Sequence, residues 1–220
     1  MDALKIMQKQ LNLEGMLYIK RIQNNFVINA FYSTFNTITI LGPLLFKAKV
    51  SSDLVKEPLL SHYAVDHELF HSLFTGTSST LIDVYGSRSR CLMDHYGSMC
   101  SDFGKNMCNH AKNTIYEDGA DAEGLRMLYE MFVKDHSGEM DNQIGVDDTT
   151  MQQAFFYFTS IFHCEHSENT HWIKDTHSRG SVRVNAVASL MPEFSKAFKC
   201  KAGDKMLTET AKCKIFGQDA

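Results

Sequence analysis

The sequence lacks any strong excess of charge. Its formal net charge is −4 over 220 residues, and no basic patch is interleaved with aromatic side chains. A chain of this kind is not expected to bind nucleic acid, nor to be drawn to a membrane surface by its charge. The composition therefore points to partners of another class.

The sequence predicts neither a leader segment nor a membrane span. Met1 to Lys5 contains no apolar core of a signal peptide. The longest apolar run, Ile38 to Phe46, includes Gly42 and Pro43 and is too short to cross a bilayer. There is no internal repeat and no low-complexity segment. With 44% hydrophobic and 22% charged residues, the chain is predicted to form one substantial globular domain.

An H-E-x-x-H motif, His67-Glu68-Leu69-Phe70-His71, lies in a helix predicted over Glu57 to Thr75. Histidines four apart share one helix face, so both rings can bind one Zn²⁺. Glu68 can reach a metal-bound water as a general base without being a ligand. The stripe of Leu60, Tyr63, Ala64 and Phe74 indicates that this face points inward. A chance match to a short motif is the alternative.

A catalytic zinc needs a third protein ligand and keeps one position open. The stretch Glu117 to Asp121 opens a helix predicted to run to about Lys134, on a stripe continued by Leu125, Leu128 and Phe132. Carboxylates on such a stripe are costly to bury unless they are paired or metal-bound. We predict Glu117 as the third ligand and Asp121 as acceptor for the second N–H of a ligating imidazole. An ordinary acidic first turn is the alternative.

Five stretches occur in an ordered series: Asn29-Ala30-Phe31-Tyr32, His67 to His71, Glu117 to Asp121, Asp175-Thr176-His177-Ser178 with Arg183 after it, and an ending from Phe194 to Cys213. This series resembles the catalytic part of the neprilysin and endothelin-converting-enzyme family of zinc metallopeptidases, over about Ile22 to Phe216. Asp118 stands where the family has asparagine, Asp66 and Ser72 where it has glycine, and His163 where it usually has tryptophan.

The resemblance implies an α+β, mostly α-helical, zincin-like (thermolysin-like) catalytic domain with a small edge sheet beside the H-E-x-x-H helix. Residues 1–220 would be one such domain, the C-terminal portion of the family's catalytic unit. Asn29 and the backbone of Ala30 would hold a peptide as an added strand. Asp175 would orient His177, which would stabilise an oxyanion. Arg183 would bind a substrate carbonyl.

The remaining elements are predicted from local patterns. Strands are expected over Phe26 to Tyr32 and Thr37 to Leu41, and a helix over Leu81 to Met93 followed by a loop at Ser101 to Lys105. Two further helices are expected, one capped by Asp147-Asp148-Thr149 and running to about Cys164, the other over Val182 to Met191.

Six cysteines suit an extracellular domain with disulfides, although their spacing does not fix the pairing. The resemblance suggests a Cys91–Cys213 bond. It equates Cys164 and Cys200 with cysteines that pair with a region N-terminal to this chain. A zinc knuckle from Cys100, Cys108 and His110 is conceivable but lacks a fourth ligand. A second metal site around His163, Cys164, Glu165, His166 and His171 has unsuitable spacing.

The predicted function is zinc-dependent endopeptidase action on small peptides, with Zn²⁺ held by His67, His71 and Glu117 and with Glu68 as the general base. The alternative is a catalytically weak or silent zinc-binding relative that acts through interactions. The resemblance implies an extracellular or cell-surface location, with any membrane attachment through a missing N-terminal anchor. Without the family's N-terminal lid, we expect an open groove, weak turnover and marginal stability.

Overall fold

The computed structural model describes residues 30–33, 37–40, 56–74, 79–103, 108, 111–144, 147–164, 175–207 and 213–216. These residues are mainly helical, as predicted. In chain order the elements are strands β1 (Ala30–Ser33) and β2 (Thr37–Ile40), then helices α1 (Lys56–Phe74), α2 (Ser79–Phe103), α3 (Ala111–Asp135), α4 (Met151–Ser160), α5 (Gly180–Ser189) and α6 (Pro192–Ala197). A 3₁₀ turn, Ile161–His163, follows α4 directly.

The two strands form an antiparallel pair in which Ala30 lies opposite Ile40 and Ser33 lies opposite Thr37. β1 packs beside α1. The predicted strands overlap this pair, although residues 26–29 lie outside the described part of the chain. The role of the pair as an edge that receives a peptide stays a prediction.

Helices α1 and α3 pack closely along their length. At Gly124 the backbone of α3 comes so near α1 that a Cβ atom would lie 3.2 Å from the backbone nitrogen of His67. A Cβ atom here would therefore require one of the two helices to shift by a few tenths of an ångström. On the same helix Leu125, Leu128 and Phe132 are buried, as the stripe predicts.

The five helices from α1 through α5 share one apolar core, to which the C-terminal segment 213–216 also contributes. The largest apolar side chains that are almost wholly inaccessible to solvent are Tyr63, Leu92, Met99, Leu128, Phe155, Leu190 and Ile215. Among the helices that the structure describes, none combines the length and the hydropathy needed to cross a bilayer.

Several helix ends differ from the predictions. α2 continues to Phe103, so the predicted loop at Ser101 to Lys105 is wrong for its first three residues. α3 begins at Ala111, which places Glu117 well inside the helix. The alternative of an acidic first turn at Glu117 is thereby excluded, because the dipole acts on the first turn alone.

The start and end of α4 are also corrected. Its N-cap is Thr150 rather than the predicted Asp147-Asp148-Thr149. The Thr150 hydroxyl accepts a hydrogen bond from the backbone N–H of Gln153, and the Gln153 side chain accepts one from the backbone N–H of Thr150. This reciprocal pair is a capping box. The helix ends at Ser160 and tightens into the 3₁₀ turn before Cys164.

Two disulfides are formed. Cys91 bonds to Cys213, as the resemblance suggests, and Cys100 bonds to Cys108. The conceivable zinc knuckle at Cys100 and Cys108 is therefore wrong, because both sulfur atoms are in a disulfide. Cys164 and Cys200 are free thiols.

Candidate metal centre and active site

Three side chains converge where α1 faces α3. The Nε2 atoms of His67 and His71 lie 3.0 Å apart. The Glu117 Oε2 atom lies 3.1 Å from His67 Nε2 and 3.3 Å from His71 Nε2. His67 is buried, while His71 and Glu117 are half-buried at the rim. Three potential ligand atoms thus form a nearly equilateral triangle that is open on one side.

This triangle has dimensions that fit zinc. Zn–N and Zn–O bonds of about 2.0–2.1 Å in a tetrahedron require ligand atoms about 3.3 Å apart. The three observed distances of 3.0, 3.1 and 3.3 Å are close to that edge length. Two imidazoles and one carboxylate are also a donor set that catalytic zinc accepts. Among the described residues, three side chains therefore offer ligand atoms for zinc, and the fourth corner of the tetrahedron is left for a non-protein ligand.

Asp121 lies directly behind the triangle. Its fully buried carboxylate accepts a hydrogen bond from His67 Nδ1 at 2.8 Å, as predicted. A proton held on Nδ1 leaves the lone pair of Nε2 directed at the other two ligand atoms. Burial raises the pKa of Asp121, but the charge of Arg183 and the bond from His67 outweigh it, so that the pKa lies well below its ordinary value.

Arg183 reaches the same carboxylate from α5. Its Nε and Nη2 atoms donate to Asp121 Oδ2 and Oδ1 at 2.5 and 2.7 Å. This is the fork geometry in which arginine binds a carboxylate most strongly. The predicted contact of Arg183 with a substrate carbonyl is untested, and the structure shows that part of the guanidinium already holds Asp121.

His177 lies beside the triangle, in contact with Glu117. Its Nε2 is 3.0 Å from Glu117 Oε2, and its Nδ1 is 2.8 Å from Asp175 Oδ1. Asp175 also accepts a hydrogen bond from the backbone N–H of His177. The ring itself is held at Nε2 by Glu117 and at Nδ1 by Asp175. The bond to Glu117 is the main cause of the raised pKa of His177. The predicted orienting contact from Asp175 is present.

The other predicted site residues are less fully placed. Glu68 follows His67 on α1 and is half-buried. Asn29 lies outside the described residues, and Ala30 is described only as the first residue of β1. The conceivable second metal cluster lies mostly outside the described residues too. His163, its first member, has Nε2 3.0 Å from the Tyr63 hydroxyl.

Two buried acids beside the ligands were not given a role by the sequence. Asp118 accepts hydrogen bonds from Thr114 at 2.7 Å and from Ser178 at 3.2 Å, which ties the loop of His177 to α3. Burial raises the pKa of Asp118 to about 7 and that of Asp66 to about 8. The sequence signal for these two acids is that Asp66 stands where the family has glycine and Asp118 where it has asparagine.

A pocket adjoins the triangle between α3, α4 and α5. Its wall contains Tyr63, His163 and Arg183, together with Leu125, Phe156, Thr159, Ser160, Val184, Val187 and Ala188. Most of this lining is apolar, and two of its polar groups, the Tyr63 hydroxyl and the Arg183 guanidinium, bind Asp121. The His163 imidazole, at the position where the family usually has tryptophan, lies in the wall of this pocket.

The sequence model of peptidase family M13 matches residues 59–215. Neprilysin-1 of Caenorhabditis elegans is 26% identical over 93% of this chain and 30% of its own length. Human neprilysin is 28% identical over 86% of this chain and 28% of its own length. An endothelin-converting enzyme homolog of Locusta migratoria is 26% identical over 61% of this chain. The chain spans less than a third of the length of these relatives.

Solved structures show the same fold. The Haemonchus galactose containing glycoprotein complex superposes with a TM-score of 0.71 at 22% identity, over 86% of this chain and 35% of that one. The zinc metalloprotease ZMP1 of Mycobacterium tuberculosis, in complex with an inhibitor, gives a TM-score of 0.66 at 18% identity, over 86% of this chain and 32% of that one. These likenesses support the zincin-like class expected for the mostly helical chain.

Proposed function

The chain belongs to peptidase family M13, and from that premise we propose that it is a zinc-dependent metalloendopeptidase acting on small peptides. The observation that carries the proposal is the triangle of His67, His71 and Glu117, whose edges match a tetrahedral zinc. A structural zinc would have four protein ligands, whereas this set has three and an open corner.

When bound, zinc would supply Lewis acidity, which acidifies water to a pKa near ~7 and polarises a peptide carbonyl. The protein's own residues do the rest. Asp121 keeps the proton of His67 on Nδ1 and so keeps Nε2 available as a donor to the metal. Glu68 accepts the proton of the attacking water and passes it to the leaving amine nitrogen.

His177 is the proposed electrophilic partner. The Nε2–H of His177 points at Glu117 in the structure and would be released to the oxyanion on the substrate carbonyl once Glu117 binds the metal. The bond from Nδ1 to Asp175, which also raises the pKa of His177, would then stabilise the protonated ring that such a donor needs. Asn29, Ala30 and Arg183 are proposed to bind the peptide substrate.

The proposed location is extracellular or at the cell surface. Its support is the pair of disulfides, because such bonds persist mainly in oxidising compartments. A contact of this chain with an N-terminal lobe that covers the groove, and the expected weakness of turnover without that lobe, stay predictions.

The test separates metal binding from chemistry. Glu68→Gln keeps the size of the side chain and removes the base, so zinc should stay bound while hydrolysis of a quenched peptide falls by about 10³-fold. His71→Ala should lose most of the zinc, measured by metal analysis after gel filtration. Glu130→Gln, the same change at an exposed position of α3, is the control and should alter neither.

Three results would contradict the proposal. Retention of one full zinc by His71→Ala would refute the ligand assignment. Near-normal turnover by Glu68→Gln would mean that another group is the base. Wild-type protein that holds zinc but cleaves no peptide, even with the chelator-sensitive metal restored, would favour the silent, interacting relative instead.

A further inference from the structure

A chain of hydrogen bonds leads from the pocket wall to the candidate metal ligand. His163 Nε2 is 3.0 Å from the hydroxyl oxygen of Tyr63. That hydroxyl is 3.1 Å from Asp121 Oδ1, and Asp121 Oδ1 is 2.8 Å from His67 Nδ1. The series joins the 3₁₀ turn after α4, helix α1 and helix α3, which are far apart in sequence.

The direction of every bond in this series is fixed by the chemistry of Asp121. An ionised carboxylate only accepts hydrogen bonds, and Asp121 is ionised because Arg183 lies against both of its oxygens. Tyr63 has one hydroxyl proton, which must therefore be donated to Asp121. The Tyr63 oxygen is left as an acceptor, so the hydrogen between it and His163 comes from His163 Nε2.

Burial agrees with this assignment. Tyr63 is almost wholly inaccessible, and its hydroxyl would lack a partner without Asp121 and His163. Burial is the main cause of the lowered pKa of His163, about 3, so its ring is neutral and carries a single N–H. The rings of Tyr63 and His163 also meet edge to face at 5.3 Å, which restricts both rotamers.

Resting on the proposed function, we infer that Tyr63 and His163 are positioning residues for the metal ligand His67, acting through Asp121. Tyr63 is a third donor to Asp121 beside Arg183 and His67, and it comes from the same helix face as His67, one turn earlier. It fixes the carboxylate against rotation about its own axis. His163 in turn fixes the Tyr63 hydroxyl.

The pair also lies in the wall of the pocket beside Arg183. A group that enters the pocket therefore contacts the residues that hold the metal ligand in register. Carboxylate partners of metal-bound histidines change metal affinity about 10–100-fold when they are removed. Tyr63 acts one bond further away, so a smaller effect is expected.

The experiment measures metal binding rather than turnover. Zn²⁺ and Co²⁺ affinities are determined for wild type, Tyr63→Phe and Tyr129→Phe by competition with a chelator, and the visible spectrum of the Co²⁺ form is recorded. Tyr63→Phe should bind Zn²⁺ about fivefold more weakly and shift the Co²⁺ bands, since removal of a nearer partner costs about tenfold or more.

Tyr129→Phe is the matched control. Tyr129 is a buried tyrosine on α3 whose hydroxyl accepts a hydrogen bond from Gln152 at 2.6 Å, away from the ligand triangle. It should lose a similar amount of stability to Tyr63→Phe while leaving metal affinity and the Co²⁺ spectrum unchanged. Equal metal affinity and equal spectra for both variants and wild type would overturn the inference.

His163 supplies an independent arm. His163→Phe keeps a ring but removes the donor, and should move the Co²⁺ spectrum in the same direction as Tyr63→Phe. His163→Gln retains an N–H and should lie nearer wild type; if Gln and Phe behave alike, His163 only fills space. Wild-type protein that binds metal but hydrolyses nothing would refute the proposed function and leave these outcomes readable.

Discussion

Asp66 is a buried acid with a poor environment. It lies on α1 immediately before His67, and its Oδ2 atom has no hydrogen-bond partner among the residues that the structure describes. Burial raises its pKa to about 8, which is the response of a carboxyl group that the protein does not solvate. Asp66 therefore lowers the stability of the folded protein, although it is not one of the side chains that form the metal centre.

We expect Asp66→Ala to raise the free energy of unfolding of the metal-free protein by about 1 kcal/mol. The reason is that an unsatisfied buried polar group costs about 1–3 kcal/mol, against which some packing is lost. Urea unfolding measures the change. Asp94→Ala, at an exposed position of α2, is the control and should stay within about 0.5 kcal/mol of wild type. A clear loss of stability would show that Asp66 has a favourable role.

Individual site residues could be predicted from the sequence where they recur at the spacing of one helix turn. His67 and His71 follow from a spacing of four, and Glu117 with Asp121 from the same spacing on a second helix. The bond between Tyr63 and His163 could not be predicted in this way, because the two residues are 100 positions apart and neither belongs to a motif. Only the packing of α1 against the turn after α4 brings them together.

At the level of elements, the ligand triangle depends on the separation of α1 and α3. His67 and His71 come from one helix and Glu117 from the other, so any movement of one helix changes two edges of the triangle. Gly124 lies where the two helices meet closely: a Cβ atom there would lie 3.2 and 3.4 Å from backbone atoms of α1, so one helix would have to shift by a few tenths of an ångström.

We expect Gly124→Ala to weaken zinc binding about tenfold, because overpacking strain of about 1–3 kcal/mol is relieved by moving the helices apart. Competition with a chelator measures the affinity. Gly97→Ala is the matched control, since Gly97 is an exposed helical glycine of α2 with nothing within 4 Å of its added Cβ. It should gain about 0.5–1 kcal/mol of stability and keep its zinc affinity. Unchanged affinity in Gly124→Ala would mean that the helices tolerate the extra carbon.

Elements could be predicted better than their ends. α1 and α3 stand out through long apolar stripes, and both are present. The sequence predicts Asp147-Asp148-Thr149 as the cap of α4, because several residues that can cap a helix follow one another there. In the structure the N-cap is Thr150, which forms a capping box with Gln153. α2 extends past its predicted end, and Cys100 in its last turns is bonded to Cys108, a link that local sequence patterns do not reveal.

At the scale of the whole molecule, the C-terminal segment is bound to the helix that carries Glu117. The backbone N–H of Ile215 donates to Glu123 at 2.8 Å, and Arg126 donates to the carbonyl of Cys213 at 3.3 Å. Cys213 is in turn linked to Cys91 on α2. The disulfide therefore clamps the end of the described chain across α2 and α3, behind the metal centre.

We expect loss of this bond, in Cys91→Ala with Cys213→Ala, to lower the free energy of unfolding by about 5 kcal/mol, because it closes a loop of 122 residues. The matched control is Cys100→Ala with Cys108→Ala, where the loop of 8 residues predicts a loss of about 2.5 kcal/mol. Urea unfolding at fixed zinc measures both, and zinc affinity is determined in parallel. The first pair alone should weaken zinc binding, since it frees the segment that holds Glu123 and Arg126 of α3. If the two double variants lose equal stability and have equal zinc affinity, the Cys91–Cys213 bond neither stabilises the chain by closing a long loop nor supports the site through α3.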